Sequence, residues 1–329
     1  MSVLLIQADA RALPLSSESV HCVVTSPPYF NLRNYKVDGQ IGLEKTPEAF
    51  IAELVAVFRE VKRVLRKDGT CWVNIGDSFA ANGSSGSQGK TGQRADRTFT
   101  ASGIPKSIPS GLKNKDLIGI PWRLAFALQA EGWYLRADCI WHKPNPMPSS
   151  VLDRPTIAHE YVFLLTKSAR YYYDQDAVRE KTGSEASPEE YLRALGSNGG
   201  ADSDRFGKGY QKRSATLTHP LGRNRRSVWT IPTEASGWEH YATFPMALVE
   251  PCILAGCPKG GTVLDLFAGI FTGALVARKH DRNFIGVELN PKSLNIARAR
   301  LAGADDVSED GKPVFDQPRL NFDTTNDAA

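Results

Sequence analysis

The alternation of strand-like and helix-like segments near the C-terminus constrains the fold of this chain more than any other feature. Thr262 to Phe267 is an apolar run that predicts a buried strand, and Ala268-Gly269 turns the chain. A helix is predicted roughly from Phe271 to His280, and a second strand from Asn283 to Glu288. Two such strands joined by a helix form a βαβ unit, which implies a parallel sheet covered by helices.

The rest of the chain alternates in the same way. Val20 to Thr25 is a predicted strand, and Lys67-Asp68-Gly69 is a predicted turn before a strand from Thr70 to Ile75. Thr46-Pro47 and Asn290-Pro291 are helix starts, with a capping side chain followed by proline. Further elements are a helix from Pro121 to Gln129 and strands from Tyr134 to Trp141 and from Tyr161 to Leu165. The sequence therefore predicts an α/β fold, a doubly wound sheet in three αβα layers.

Residues 1–301 are interpreted as a single domain. Two segments within it, residues 80–115 and 182–227, are rich in Gly, Ser and cationic residues and are predicted to be inserted loops. Loops of this length inside a compact domain are usually functional or disordered. Residues 302–329 form a polar and acidic tail.

Composition excludes several classes of protein. The hydrophobic content of 41% and charged content of 23% are typical of a globular protein with a core. No apolar run reaches the length of a membrane span, and the first nine residues do not resemble a signal peptide, so a cytoplasmic protein is expected. The five cysteines form no CxxC pair, which argues against a disulfide framework or a metal site and favours buried apolar positions.

Positive charge is concentrated in one block, although the net charge is only +4. Between Arg205 and Arg226 there are seven cations and no acidic residue. The seven are Arg205, Lys208, Lys212, Arg213, Arg223, Arg225 and Arg226. Such a block suits a protein that contacts a polyanion through one face, and a solvated basic loop is the alternative.

Unusual residues follow the first predicted strand, at Thr25-Ser26-Pro27-Pro28-Tyr29. Doubly wound sheets bind ligands at the carboxyl ends of their strands. Two consecutive prolines remove both backbone donors and leave carbonyl oxygens that only accept hydrogen bonds. With the Ser26 hydroxyl they offer acceptors for an amino group, and Tyr29 offers a face for a flat base. The alternative is a proline turn with Tyr29 packed.

A second candidate site follows the C-terminal βαβ strands. Gly269 at the turn allows a ligand to approach the backbone, and the helix behind it begins with free amides. Glu288 ends the next strand, where an acid is well placed to accept hydrogen bonds from ribose hydroxyls. These features predict an adenosine-containing cofactor, either a nicotinamide dinucleotide or S-adenosylmethionine.

Together these segments resemble the amino-directed DNA methyltransferases of the beta arrangement, in which the catalytic motif precedes the cofactor motif. The resemblance covers nearly the whole chain except the two loops and the tail. Five segments carry it: Asp9-Ala10; Thr25 to Tyr29; Asp68 to Asp77; Trp141 to Pro146 with Asp153 to Thr156; and His240 to Pro245 leading into Asp265 to Gly269.

The resemblance implies S-adenosylmethionine as cofactor and double-stranded DNA as substrate. It implies that Ser26, Pro27, Pro28 and Tyr29 hold a flipped base, with Tyr29 stacked on it. The residues implied at the cofactor are Asp9 near the adenine, Glu288 at the ribose, His240, Thr243 and Phe244 at the methionine end, Phe267 and Gly269 in the wall, Asp265 in support, and Thr25 and Thr272. The long loop before His240 usually recognises the target sequence in this family, which matches the cationic block.

Several choices stay open at this point. Serine at the first motif position resembles the cytosine-N4 group, which is favoured over adenine-N6. Phe271 stands where the family usually has glycine, which leaves the cofactor affinity open. An active enzyme is favoured, and a DNA-binding homologue with impaired catalysis is the alternative. Lys143 contacts a DNA phosphate or is a surface cation. A cognate restriction endonuclease, and a monomeric or homodimeric state, are compatible with the sequence.

Overall fold

A computed structural model describes residues 1–80, 108, 111–183, 185–191, 219–234, 244–303, 306–307 and 313–314. The strands of the main sheet are β1 (Val3–Gln7), β2 (Val20–Thr25), β3 (Leu65–Ile75), β4 (Tyr134–His142), β5 (His159–Thr166), β6 (Val228–Thr230), β7 (Thr262–Asp265) and β8 (Asn283–Glu288). The helices are α1 (Pro47–Val64), α2 (Ile120–Ala130), α3 (Met246–Gly256), α4 (Thr272–Lys279) and α5 (Pro291–Leu301). Two short strands, β9 (Asp306–Val307) and β10 (Pro313–Val314), pair separately.

The main sheet has the strand order β1-β8-β7-β2-β3-β5-β4-β6. The five strands from β1 to β3 in this order are parallel neighbours. β5 is antiparallel to both β3 and β4, whereas β6 is parallel to β4. The amino end of β5 therefore lies at the same edge of the sheet as the carboxyl ends of the other strands.

Helices cover both faces of the sheet and confirm the predicted three-layer architecture. α1 and α2 pack on one face with alternate strand residues such as Val23, Val73 and Phe163. α3, α4 and α5 pack on the other face, with Trp72 and Phe284. Because side chains of a strand alternate between faces, each strand contributes to both cores.

Both predicted helix caps are confirmed. The Thr46 hydroxyl accepts a hydrogen bond from the Ala49 N–H at 3.1 Å, and the Asn290 side chain accepts one from the Lys292 N–H at 2.9 Å. The strand from Asn283 to Glu288 has the predicted bounds, whereas β7 ends at Asp265, two residues earlier than predicted.

The prediction of a turn at Lys67-Asp68-Gly69, before the start of a strand, is wrong. These residues belong to β3, and the pairing with β2 jumps from Val20↔Leu65 to Cys22↔Thr70. Four residues of β3 therefore bulge out between those two pairs. The elements β1, β6 and α3 were not predicted. β6 has only three residues, and α3 is apolar on nearly all sides with Pro251 inside it, so neither has a clear period.

The two inserted loops fall largely outside the described residues, as does most of the tail, so the domain boundaries stay a prediction. All five cysteines are buried free thiols, which confirms their interpretation as core residues. Burial raises the pKa of Cys139 to about 11 and that of Cys257 to about 12. Among the described residues, no helix is long and apolar enough to cross a membrane.

Candidate active site

A cavity of about 680 Å³ opens at the edge of the sheet where the carboxyl ends of the strands meet. Its wall includes residues that follow β1, β2, β4, β7 and β8 and residues of β3 and β5. This volume is in the range of small-molecule sites. The two candidate sites predicted from the sequence therefore belong to one cavity, and both Ser26 and Glu288 lie in its wall.

The half of the cavity near β8 is organised by the Glu288 carboxylate. One of its oxygens accepts a hydrogen bond from the Gly269 N–H at 2.9 Å, and the other accepts one from the Asn290 N–H at 2.8 Å. Burial raises the pKa of Glu288. Gly269 has φ +51°, a conformation that glycine adopts readily. The acid is therefore fixed by backbone groups at the predicted position.

Asp9 lies in the wall on the same side. Arg11 donates hydrogen bonds to both of its carboxylate oxygens, at 2.6 Å for the shortest, and holds the pKa of Asp9 below its usual value. Arg11 also pairs with Glu53 of α1 at 2.6 Å. Asp9 is thus an ionised, oriented carboxylate at the cavity.

Asp265 and Thr25 lie behind the wall instead of lining the cavity. The Thr25 hydroxyl donates to the Asp265 carboxylate at 2.6 Å, and the Phe267 N–H donates to the same oxygen at 3.1 Å. Burial raises the pKa of Asp265 to about 7. The pair joins the ends of β2 and β7, so it links the two halves of the cavity.

Phe271 points away from the cavity where the cofactor is expected. Phe271 is fully buried, adopts φ +62°, and packs against Phe284 with ring centroids 5.8 Å apart. A Cβ atom at Gly286 would lie 2.1 Å from its ring, so the ring occupies space that the missing side chain leaves. Thr272 is also buried and accepts a hydrogen bond from Arg300 at 2.9 Å. Neither residue lines the cavity, which corrects the placement of Thr272 at the cofactor.

The half of the cavity near β2 contains a network of side chains. Ser26 and Tyr29 each contact the Asn74 amide oxygen at 3.4 Å, and the Tyr29 hydroxyl donates to Glu160 at 2.5 Å. The Asn74 amide nitrogen donates to Glu160 at 3.1 Å and to the Tyr161 carbonyl at 3.2 Å. Burial, followed by the neighbouring Glu160, raises the pKa of Tyr29 well above its usual value.

The Tyr29 ring depends on a glycine of the neighbouring strand end. A Cβ atom at Gly76 would lie 2.7 Å from the ring, which is closer than atoms can approach. Gly76 is therefore required for the observed position of the ring, which lies in the wall together with Pro27 and Pro28.

Lys143 is a wall residue and not a surface cation, whereas its contact with a DNA phosphate stays a prediction. Its ammonium group forms an ion pair with Glu160 and lies 4.3 Å from the centroid of the Trp141 ring. The two charged side chains are only 18% and 15% exposed. Trp141 and Pro146 also line the cavity, so this segment shapes the pocket.

Asn74 and Glu160 were not identified as functional residues from the sequence. A usable signal existed for Asn74, which is polar and buried between the apolar residues Val73 and Ile75. Glu160 gave no such signal, because it begins an antiparallel strand and reaches the site only through the pairing of β5 with β3.

The cationic block is only partly described. Arg205, Lys208, Lys212 and Arg213 lie outside the described residues, and so do His240 and Thr243, whereas Phe244 lines the cavity. Arg223 and Arg226 form ion pairs with Glu180 at 3.0 and 2.9 Å, and Arg225 stacks on Trp229 at 4.8 Å. The block contains no acidic residue in the sequence, but the fold places Glu180 next to Arg223 and Arg226.

Comparisons with known proteins identify the family of the chain. A family model described as DNA methylase, N6_N4_Mtase, matches residues 20–299. The chain is 46% identical to the type II methyltransferase M.Cfr9I of Citrobacter freundii over 303 residues, which is 92% of this chain and 88% of that protein. It is 43% identical to M.SmaI of Serratia marcescens, covering 90% of each chain.

Solved structures share the fold at lower identity. The PvuII DNA methyltransferase (cytosine-N4-specific) matches with a TM-score of 0.58 at 17% identity, over 91% of this chain and 86% of that one. A putative DNA modification methylase of Thermus thermophilus, solved in complex with S-adenosyl-L-methionine, matches with a TM-score of 0.54 at 24% identity, over 92% and 94% of the two chains.

Proposed function

The chain belongs to the DNA methylase family and is an S-adenosylmethionine-dependent DNA amino-methyltransferase, and from that premise we propose that it methylates N4 of cytosine. The observation that carries the proposal is Ser26, the first residue of the motif, beside the neutral amide oxygen of Asn74. Serine at this position resembles the cytosine-N4 group, whereas aspartate or asparagine is commoner in adenine-N6 enzymes. Adenine-N6 remains the alternative outcome.

We further propose how the residues near β2 promote the reaction. The exocyclic amine is a poor nucleophile because its lone pair is delocalised into the ring. Ser26 Oγ and the Pro27 carbonyl accept hydrogen bonds from the amine and favour a more tetrahedral nitrogen, while Tyr29 stacks on the flipped base. The amine nitrogen would form a bond to the methyl carbon as the bond between that carbon and the cofactor sulfur breaks, and the nitrogen would then lose one proton to solvent.

The half of the cavity near β8 fits the cofactor on the residues that it contains. Glu288 would bind the ribose hydroxyls, Asp9 would lie near the adenine, and Gly269 leaves the wall free of a side chain where the ligand approaches. Phe267 and Phe244 would line the site, with His240 and Thr243 at the methionine end. S-adenosylmethionine, when bound, supplies an electrophilic methyl group on sulfur.

DNA docking is assigned in this proposal to the cationic block. Arg223 and Arg226 are 45% and 65% exposed in their side chains although both pair with Glu180, so each retains donors for a phosphate. The remaining cations of the block would add contacts. A cognate restriction endonuclease and the oligomeric state stay predictions.

The decisive experiment incubates the purified protein with labelled S-adenosylmethionine and DNA of mixed sequence, followed by digestion to nucleosides and mass spectrometry. We expect N4-methylcytosine. N6-methyladenine in its place would select the alternative target. Calorimetric binding of S-adenosylmethionine without transfer to any DNA would identify a catalytically impaired homologue.

A further inference from the structure

The Glu160 carboxylate contacts three polar side chains of the cavity, and none of the motifs predicted from the sequence includes it. We propose that Glu160 is a positioning residue that sets the direction of the hydrogen bonds around the target amine. This inference rests on the proposed role of Ser26 as an acceptor. Glu160 is the second residue of β5, so the antiparallel strand delivers it between Tyr29 and Lys143.

The direction of the network follows from the donor and acceptor types of its members. A carboxylate and a backbone carbonyl only accept, so Glu160 and the Tyr161 carbonyl both require the Asn74 amide nitrogen to face them. The Asn74 amide oxygen must then face Ser26 and accept its hydroxyl proton. With that proton committed, the Ser26 oxygen presents lone pairs to the target amine.

Glu160 also orients Tyr29, through the same carboxylate oxygen that accepts the hydrogen bond from Asn74. The Tyr29 hydroxyl donates to it at 2.5 Å, a charge-assisted hydrogen bond that fixes the ring beside Gly76. One carboxylate therefore orients both Ser26, through Asn74, and Tyr29 directly. Lys143 engages the other oxygen, and the low exposure of both groups strengthens their attraction.

Glu160→Gln tests this arrangement because glutamine has one acceptor where glutamate has two. Its single oxygen can accept hydrogen bonds either from Lys143 or from Tyr29 and Asn74. The amide nitrogen of the glutamine, which is a donor, then faces the donors on the other side. We expect the single-turnover rate of methyl transfer to fall by about 100-fold, similar to the loss of one preorganised contact. The affinities for S-adenosylmethionine and DNA, measured by calorimetry and fluorescence anisotropy, should change less than about threefold.

The double variant Glu160→Gln with Lys143→Met separates positioning from structural support. Without the lysine, the glutamine oxygen is free to face Tyr29 and Asn74, so we expect the rate to recover at least tenfold over Glu160→Gln alone. A purely structural ion pair predicts further loss in the double variant. Glu131→Gln, which breaks the exposed pair with Arg59, is the matched control and should behave as wild type.

Two results would overturn the inference: an unchanged rate in Glu160→Gln, or no recovery in the double variant. If Glu160→Gln does not fold, two double variants without the ion pair replace it. One combines Lys143→Met with Glu160→Gln, and the other combines Lys143→Met with Glu160→Leu. Equal rates in these doubles would contradict a positioning role. Loss of activity in Ser26→Ala with normal activity in Glu160→Gln would reject this inference and leave the proposed function standing.

Discussion

The two halves of the cavity hold their acidic residues in different ways. In the half near β8, backbone N–H groups of the adjacent turn bind both oxygens of Glu288. In the half near β2, the side chains of Tyr29, Asn74 and Lys143 bind Glu160. The first arrangement is built from residues within one βαβ unit, and the second joins β3 and β5 to the segments that follow β2 and β4.

On the proposed assignment of the two halves, the difference separates cofactor binding from methyl transfer. Backbone donors hold an acid in place whatever the neighbouring side chains are, which suits a half that binds a fixed cofactor. Side-chain networks transmit the orientation of one group to another, which suits a half that must present acceptors to a reacting amine. Substitutions in the two halves should therefore alter different measurable quantities.

The largest expected effect is in the half near β2. Ser26→Ala or Tyr29→Ala should lower the methyl-transfer rate by about 100-fold or more, because each removes a contact to the base. Cofactor affinity, measured by calorimetry, should stay within error of wild type. Full turnover by Tyr29→Ala on its DNA would reject base stacking by this ring.

Phe271→Gly tests whether the half near β8 depends on the core behind it. Removing a fully buried aromatic ring should lower the free energy of unfolding by about 3 kcal/mol, even after relief of the left-handed backbone conformation. Denaturant unfolding measures this change. Since Phe271 does not line the cavity, cofactor affinity should not improve, and tighter binding in the variant would show that the ring crowds the cofactor.

Glu288→Ala should weaken S-adenosylmethionine binding by roughly 1–3 kcal/mol through loss of the ribose hydrogen bonds. DNA affinity in the absence of cofactor should stay the same. Calorimetry of the variant beside Glu131→Ala, which removes an exposed surface acid, provides the comparison. Equal cofactor affinity in both variants would remove Glu288 from the cofactor site.

Asp265→Asn tests the contact between Thr25 and Asp265, which joins the two halves, through the pH dependence of the free energy of unfolding. Burial raises the pKa of Asp265 from 3.8 to about 7, so the folded protein holds this proton more tightly than the unfolded chain does. Its contribution to stability is present below about pH 4 and is lost as the pH rises towards 7. Asparagine keeps an oxygen for Thr25 and Phe267 and carries no charge. The variant should gain about 4 kcal/mol over wild type between pH 4 and pH 8. A constant difference in thermal or denaturant unfolding would contradict the assignment.

The smallest effect should come from the DNA-docking cations. Neutralising Arg223, Arg225 and Arg226 together should weaken DNA binding and flatten its salt dependence by up to about 3 units, one for each lost phosphate contact. Cofactor binding should not change. Glu180→Gln is the opposite test, since it frees two arginines and should tighten DNA binding. An unaltered salt slope in the triple variant would move DNA docking to the cationic loop before Lys115.

The sequence was sufficient to predict that Gly269 and Glu288 lie together at the carboxyl ends of β7 and β8. These residues lie in one βαβ unit, where Gly269, Glu288 and Asn290 are separated by a single helix and follow local turn and capping rules. The same locality made the helix starts at Thr46 and Asn290 predictable. Even there, the burial of Phe271 was not predictable, because the space beside Gly286 is created by packing between α4 and β8.

In the half near β2, only the motif from Ser26 to Tyr29 could be identified from the sequence. Ser26 to Tyr29 are adjacent in sequence, but Glu160 is 131 residues from Tyr29 and reaches it through the antiparallel pairing of β5. The ion pair of Lys143 was not predictable for the same reason, since its partner is on a different strand. Arg223 and Arg226 resemble free cations in sequence because Glu180 lies more than forty residues away.

The contact between Phe271 and Gly286 also has a consequence for how such sequences diverge. The ring at one position fills the volume that a side chain at the other would need, since a Cβ at Gly286 would lie 2.1 Å from it. The two positions are therefore expected to change together: descendants with a small residue at position 271 can acquire a larger one at position 286, whereas those that keep the phenylalanine must keep the glycine. A substitution of Gly286 while Phe271 is retained is expected to destabilise the fold, so we expect the loss of the ring to come first.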